Sequence, residues 1–343
     1  MLADPALPRA ARTSRRGPGD RLRSAVLALA GEARLVAHSE RSWASITFAG
    51  TRHRLELEFA GGLEMTGRPN HFGALSALHV FDDQTGMLAV ADTGFWLKAE
   101  IERDEDGRAT GLSDVAMWEM TEFGPGKWET DAEGLTVSGN DAYVSLERHH
   151  RIARYALGAD GYPELREQFE PPVPLKELRT NRGFETVTVA PDTAPFPGAL
   201  VGVSEKSLDT KRNIMAFVRR PDGSSFQFSV KRIGEFDVTD GQFLPDGDLI
   251  LLERRFNVTD GVAMRLRRID GDAIKKGATV DGEVLLEANL LYQIDNMEGL
   301  SITVDPDGTP RLTVISDDNH SILQRNLLLE FRLVGPQTET TSG

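Results

Sequence analysis

The sequence predicts an all-β chain folded as a β-propeller. Short apolar strands recur along it, each opened by an acidic or small polar residue: FGALSALHV at Ser76, DAEGLTV at Glu133, GFETVTV at Glu185, VTDGQFL at Asp240 and NMEGLSITV at Glu298. These openings lie 57, 52, 55 and 58 residues apart. A second strand answers each opening 13 to 20 residues later and ends in acid, at Asp92, Glu147, Glu205, Glu253 and the pair Asp317/Asp318. An even repeat of this length, made of short strands, is the pattern of propeller blades.

In chain order, residues 1–19 hold Pro, Gly, Arg and Ser without periodicity and are expected to be disordered. Residues 20–31 have the length of a three-turn helix. Trp43–Ala49 and His53–Phe59 alternate apolar and polar residues around Gly50–Thr51, which predicts a hairpin. Residues 1–57 therefore form an N-terminal arm with a short helix and hairpin. The propeller is expected over 58–334, and a disordered tail over 335–343.

Each repeat then reads as inner strand, turn and second strand: MLAVADT, AYVSLER, LVGVSEK, LILLERR and RLTVISDD. Third strands follow as IARYAL, IMAFVRR, MRLRRI and LLLEFRLV, with a less regular fourth at the exposed edge. Five openings predict five blades. The last unit supplies only three strands, so an N-terminal strand, His53–Phe59, is expected to complete it and close the ring. Six blades result if the N-terminal hairpin builds a blade of its own.

The bulk numbers are compatible with one closed unit. A chain of 343 residues lies within the range of single all-β domains. Its formal charge of −14 argues against a nucleic-acid partner, because a phosphate backbone requires a basic surface. Having no cysteine, it has no disulfide, zinc–thiolate site or thiol nucleophile. No apolar run approaches the length of a membrane span. Residues 1–25 carry six arginines against two acids, and Arg15–Arg16 precede the short apolar patch Ala25–Ala30. That patch is too short for an export signal and is followed by Glu32 and Arg34, so a disordered arm is expected.

Propeller topology dictates where the acids go. In an antiparallel meander the start of the innermost strand lies beside the end of the second. All inner strands run the same way, so their starts share one face of the disc. Glu133 is expected near Glu147, Glu185 near Glu205, Asp240 near Glu253, and Glu298 near Asp317. With Asp92 and Asp318, ten carboxylates would crowd one channel mouth. Like charges at such spacing cost on the order of a kcal/mol or more per pair.

Cations can relieve that repulsion in two ways. All-oxygen donors suit Ca²⁺, with Mg²⁺ as the other hard ion, and Asn181, Asn296 and Asn319 can add amide oxygens. Alternatively Arg148, Lys206 and Arg254, which directly follow Glu147, Glu205 and Glu253, form salt bridges with the ring. The histidines His149, His150 and His320 fall near the same mouth, and His71 precedes the first inner strand. His149 and His320 are the candidates for acid/base work. No G-x-S-x-G, P-loop or dinucleotide fingerprint is present.

The stretch DNMEGLSITVDPDGTPRLTVISDDNHSILQRNLLLEFRL, from Asp295 to Leu333, resembles the last repeat of the bacterial phytase-like family, "esterase-like activity of phytase". FGALSAL at 72–78, DAEGL with SLERHHR at 131–151, NRGFETV at 181–187 and VTDGQFLPDGDLILLERR at 238–255 carry the same resemblance. It departs where Thr186 follows Glu185 instead of glycine, and in the opening Asp240-Gly241. The resemblance implies a propeller and a hydrolase of ester or phosphate-ester bonds, by analogy with calcium-dependent propeller phytases. It also implies the periplasm, whereas a genuine N-terminus without a signal would imply the cytoplasm.

Two functional readings follow. In one, Ca²⁺ held by the ring acids supports hydrolysis of a small anionic ester. Glu133, Glu298, His149 and His320 then carry the chemistry, and Arg148, Arg182, Lys206 and Arg254 hold the substrate's oxygens. In the other, the propeller is a non-catalytic binding module with a structural cation in its channel.

Overall fold

The computed structural model describes residues 56–66, 72–123, 130–148, 150–174, 183–257, 261–289, 292, 294–319, 321 and 324–334. The expected N-terminal helix and the strand Trp43–Ala49 lie outside the described residues. The first strand, β1 (Glu56–Met65), is set aside by the chain until the ring closes. Blade 1 is a meander of β2 (Leu75–Val80), β3 (Gly86–Ala91), β4 (Phe95–Arg103) and β5 (Ala109–Glu119). Blade 2 repeats it with β6 (Ala132–Ser138), β7 (Asp141–Leu146), β8 (Arg151–Leu157) and β9 (Pro163–Phe169).

Blade 3 comprises β10 (Phe184–Val189), β11 (Leu200–Leu208), β12 (Ile214–Arg219) and β13 (Ser225–Val230). Blade 4 has β14 (Asp237–Phe243), β15 (Leu249–Asn257) and β16 (Gly261–Ile269). Its connection then visits blade 3, where β17 (Thr279–Val280) pairs parallel with β13, and returns as β18 (Gly282–Asn289). Blade 5 is β19 (Asn296–Val304), β20 (Pro310–Asp317) and β21 (Asn326–Val334), completed by β1. The ring therefore has five blades. The closing strand runs Glu56–Met65 and pairs antiparallel with β21, a few residues later than the sequence predicts.

Why the second strands read as unbroken apolar runs is clear from the packing. Successive side chains in a strand point to opposite faces, and here both faces of each blade are covered by neighbouring blades. In β15, Ile250 and Leu252 pack toward blade 5, while Leu249 and Leu251 pack toward blade 3. Five apolar clusters result, one in each space between adjacent blades. The inner strands touch in a closed cycle, β2–β6–β10–β14–β19–β2. Fully burying each large apolar side chain contributes roughly 1.5–3 kcal/mol.

An ion pair reinforces the joint where the ring closes. Arg103 of β4, in blade 1, donates both arms to Glu330 of β21, in blade 5, at 2.8 Å each. Arg311 of β20 adds a bond to the same carboxylate at 3.1 Å and forks onto Asp305. Glu330 is fully buried, so its charge is tolerated only because two guanidiniums meet it. Glu330→Gln leaves Arg103 without its carboxylate across the closing joint. A loss of about 3–5 kcal/mol is expected, read as a lower midpoint in urea unfolding; an unchanged midpoint contradicts the lock.

Candidate functional site

Every inner strand slips register once, at its mouth end. The skipped residues are Ser76, Glu133, Glu185, Thr239 and Glu298. A β-bulge of this kind leaves one residue out of the ladder and re-aims its side chain. Beside these five stand residues in the last part of the second strands or just past them: Asp92, Glu147, Glu205, Arg254 and Asp317. Together with Asn319 these ten line one cavity of about 210 Å³ at the mouth of the channel. Seven of them are carboxylates and one is a guanidinium.

Three acids expected there lie elsewhere, and two of them reveal a slip of one residue in blade 4. Thr239, not Asp240, is the bulged residue, and Arg254, not Glu253, faces it across the mouth. Asp240 is buried below the mouth and accepts the amides of Gly241 and Leu300 at 2.7 Å each, which joins blade 4 to blade 5. Glu253 points the other way and takes Arg265 at 2.7 Å and Arg267. Asp318 accepts the Ala74 amide at 3.0 Å and the Asn326 side chain at 2.7 Å, tying blade 5 to blade 1. Gly73 makes room for it: its φ is +128°, and a Cβ there would stand 2.6 Å from an Asp318 oxygen.

The cations expected to bind substrate are engaged by acids. Arg148 pairs with Asp131 at 2.7 Å. Lys206 pairs with Asp237 and stands 3.6 Å from Glu205. Arg254 donates to both Asn296 and Glu298, and its other arm lies 4.0 Å from Glu205. Of these three, only Arg254 lines the cavity. Arg182, His149 and His320 lie outside the described residues, as do Asn181 and His71.

The acids are held at unequal proton affinities. Burial, then the neighbouring charges of Asp131, Glu147, Glu298 and Asp92, push Glu133 well above the usual carboxyl range. Burial, then Glu133, Glu205 and Glu147, do the same to Glu185. Burial raises Glu147 to about 7 against the opposing Gly183 amide, which reaches it at 3.2 Å. Glu298 and Asp317 are likewise pushed by burial to about 7, partly offset by Arg254 on Glu298 and by the Asn319 amide on Asp317. Glu205 is raised by burial against the pull of Lys206.

Two groups have metal-ligand spacing. One oxygen from each of Asp131, Glu133 and Glu147 falls within 4.8 Å of the others, and so do oxygens of Glu147, Glu185 and Glu205. Neither Glu133 nor Glu185 makes a hydrogen bond or ion pair with the described residues. Asp131 is the acid that sequence reasoning missed. Its counterparts two residues before the other bulges are Ala74, Gly183, Asp237 and Asn296, so only blade 4 repeats the acid.

The fold and mouth define a class: a five-bladed β-propeller with a ring of buried and half-buried carboxylates where its inner strands begin. The family model described as phytase-like, esterase-like activity of phytase, matches residues 70–320. The chain belongs to that family. Among curated proteins nothing matches. Solved structures similar to the chain include Myxococcus xanthus glutaminyl cyclase, at 12% identity and TM-score 0.43 over 81% of this chain and 98% of that one. PQQ-bound aldose sugar dehydrogenase from Streptomyces coelicolor gives 13% and 0.41 over 80% and 99%, and U3-55K gives 10% and 0.39 over 81% and 98%. Nothing about this chain's chemistry follows from these likenesses.

A carboxyl whose pKa is higher folded than unfolded holds its proton longer when folded. Stability then falls as pH rises from the unfolded value, about 4, to the folded one. For Glu147, Glu298 and Asp317 the folded values are about 7. Chelator-treated protein should therefore melt lower at pH 8 than at pH 5, by several degrees. A melting temperature that is flat or rises over that window contradicts the buried-acid electrostatics.

Proposed function

We propose that the chain is a metal-dependent hydrolase of phosphate-ester or related anionic ester substrates, acting at the mouth of the channel. The observation that carries this reading is the pair of carboxylates without a partner among the described residues, half-buried Glu133 and buried Glu185, set among further acids. Family membership supports the same class of reaction.

The residues fit a hard cation. Donors are all oxygens, and a 4.8 Å spread equals twice a typical Ca–O bond, itself about 2.3–2.6 Å. Asp131, Glu133, Glu147, Glu185 and Glu205 would hold Ca²⁺, or the smaller Mg²⁺. When bound, such an ion supplies Lewis acidity and offsets the negative charge of an anionic ester.

The chain's own groups divide the remaining work. Arg254 presents the guanidinium that lines the mouth, and a phosphoryl oxygen would compete for it with Glu298 and Asn296. Glu298, whose carboxyl titrates at about 7, is matched to accept or donate a proton near neutrality. Partial burial of the ring weakens the screening of these charges by bulk water.

One observation favours the second reading, a binding module with a structural cation. Arg148, Lys206 and Arg254 are all engaged by the protein's own acids, as they would be in a site with no anion to bind. Chelator-stripped protein titrated with Ca²⁺ and then Mg²⁺ separates the two. A saturable rise in melting temperature, with turnover of phosphomonoesters or carboxyl esters by the loaded protein, is expected for the hydrolase. There, Glu298→Gln should lower kcat by about 10²–10⁴-fold without abolishing the melting shift. A melting shift with no turnover on either ester class leaves the binding module, and no shift with either ion removes the metal from both.

A further inference from the structure

The two acidic groups at the mouth are not separate, because Glu147 belongs to both. We infer that the mouth seats two divalent cations sharing Glu147 as a bridging ligand, one with Asp131 and Glu133, the other with Glu185 and Glu205. This inference rests on the proposal that the mouth holds metal at all.

Two features point to two seats and not one. Glu185 is only 6% exposed, lines the cavity and has no hydrogen-bond or ion-pair partner among the described residues. A buried carboxylate in that condition takes up a proton or a cation. Glu133, on the far side of Glu147, is likewise unpartnered among them. A single ion at either group leaves the other acid bare.

Glu147 is placed to serve both. The Gly183 amide donates to one of its oxygens at 3.2 Å, which fixes the carboxylate's orientation. A Cβ at Gly183 would lie 2.9 Å from Glu147 Cγ, so only glycine lets the carboxylate stand there. A carboxylate has two oxygens with about four lone-pair sites, enough to bridge two ions while keeping that hydrogen bond.

Charge is compatible with the same count. Five carboxylates surround the two groups, and among the described residues Arg148 and Lys206 are the cations paired with them within 3.6 Å. One divalent ion leaves one excess negative charge and a second leaves one excess positive charge, so charge admits the second ion without requiring it. The opposite arc offers no third seat of this kind among the described residues, since Arg254 already occupies Glu298 and the Asn319 amide caps Asp317 at 2.6 Å.

Calcium stoichiometry tests the inference on the full metal-free chain, by calorimetric titration and native mass spectrometry. Two Ca²⁺ per chain are expected for the wild type, and one each for Glu133→Gln and Glu205→Gln. Glu147→Gln should weaken both sites by more than tenfold. One tight ion in the wild type, or a Glu147→Gln protein that keeps one site at full affinity, overturns the bridge while leaving a metal-bound mouth intact. No bound calcium overturns the metal reading itself. Should Glu147→Gln fail to fold, the wild type loaded with Tb³⁺ and Eu³⁺ decides. Efficient energy transfer between the two ions supports adjacent seats, and its absence contradicts them.

Discussion

One β-bulge per blade, at the start of the innermost strand, is the constraint on which the site depends. It turns a single side chain out of the ladder at the same height in all five blades. Because the inner strands run parallel around one axis, those side chains converge, and the ends of the second strands converge beside them. Nothing in this geometry forces the residues to be acidic. That most of them are is a choice of sequence, and a costly one, since buried like charges raise one another's proton affinity.

The rest of the structure holds that cost in place. Apolar packing between every pair of adjacent blades keeps the ring closed, and the Arg103–Glu330–Arg311 cluster ties the first blade to the last. Asp240 and Asp318, both acids close to the mouth, spend their oxygens on backbone amides of neighbouring strands instead of on the cavity. They act as joints between blades. Asp318 adjoins the cavity acid Asp317 and Asp240 adjoins the cavity residue Thr239, each opposite in role to its neighbour.

Much was legible before any coordinate. The even spacing of openings announced the blades, and the apolar runs such as LILL at 249–252 announced strands covered on both faces. The pairing of inner-strand starts with second-strand ends put Glu133 beside Glu147 and Glu185 beside Glu205, as their shared cavity has it. Asp131 was not legible, because of the other four blades only blade 4, with Asp237, carries an acid at that position. Nor was the engagement of Arg148 by Asp131, since a pair formed across a hairpin leaves no local signature.

Blade 4 shows most sharply where letters stop and structure begins. Repetition in the sequence determined that there is a propeller, that it has five blades or six, and that acids gather at one mouth. Hydrophobic period and strand count suffice for this, because each blade is a local meander. The pairing of β1 with β21 decided for five. Which of two adjacent residues faces the axis was decided only by the pairing register. Thr239 and Asp240 were equally good readings of one motif, as were Glu253 and Arg254. A register slip of one residue reverses every side chain's face. The bulge at Thr239 therefore placed a hydroxyl and a guanidinium in the ring, and sent two acids into the protein's framework.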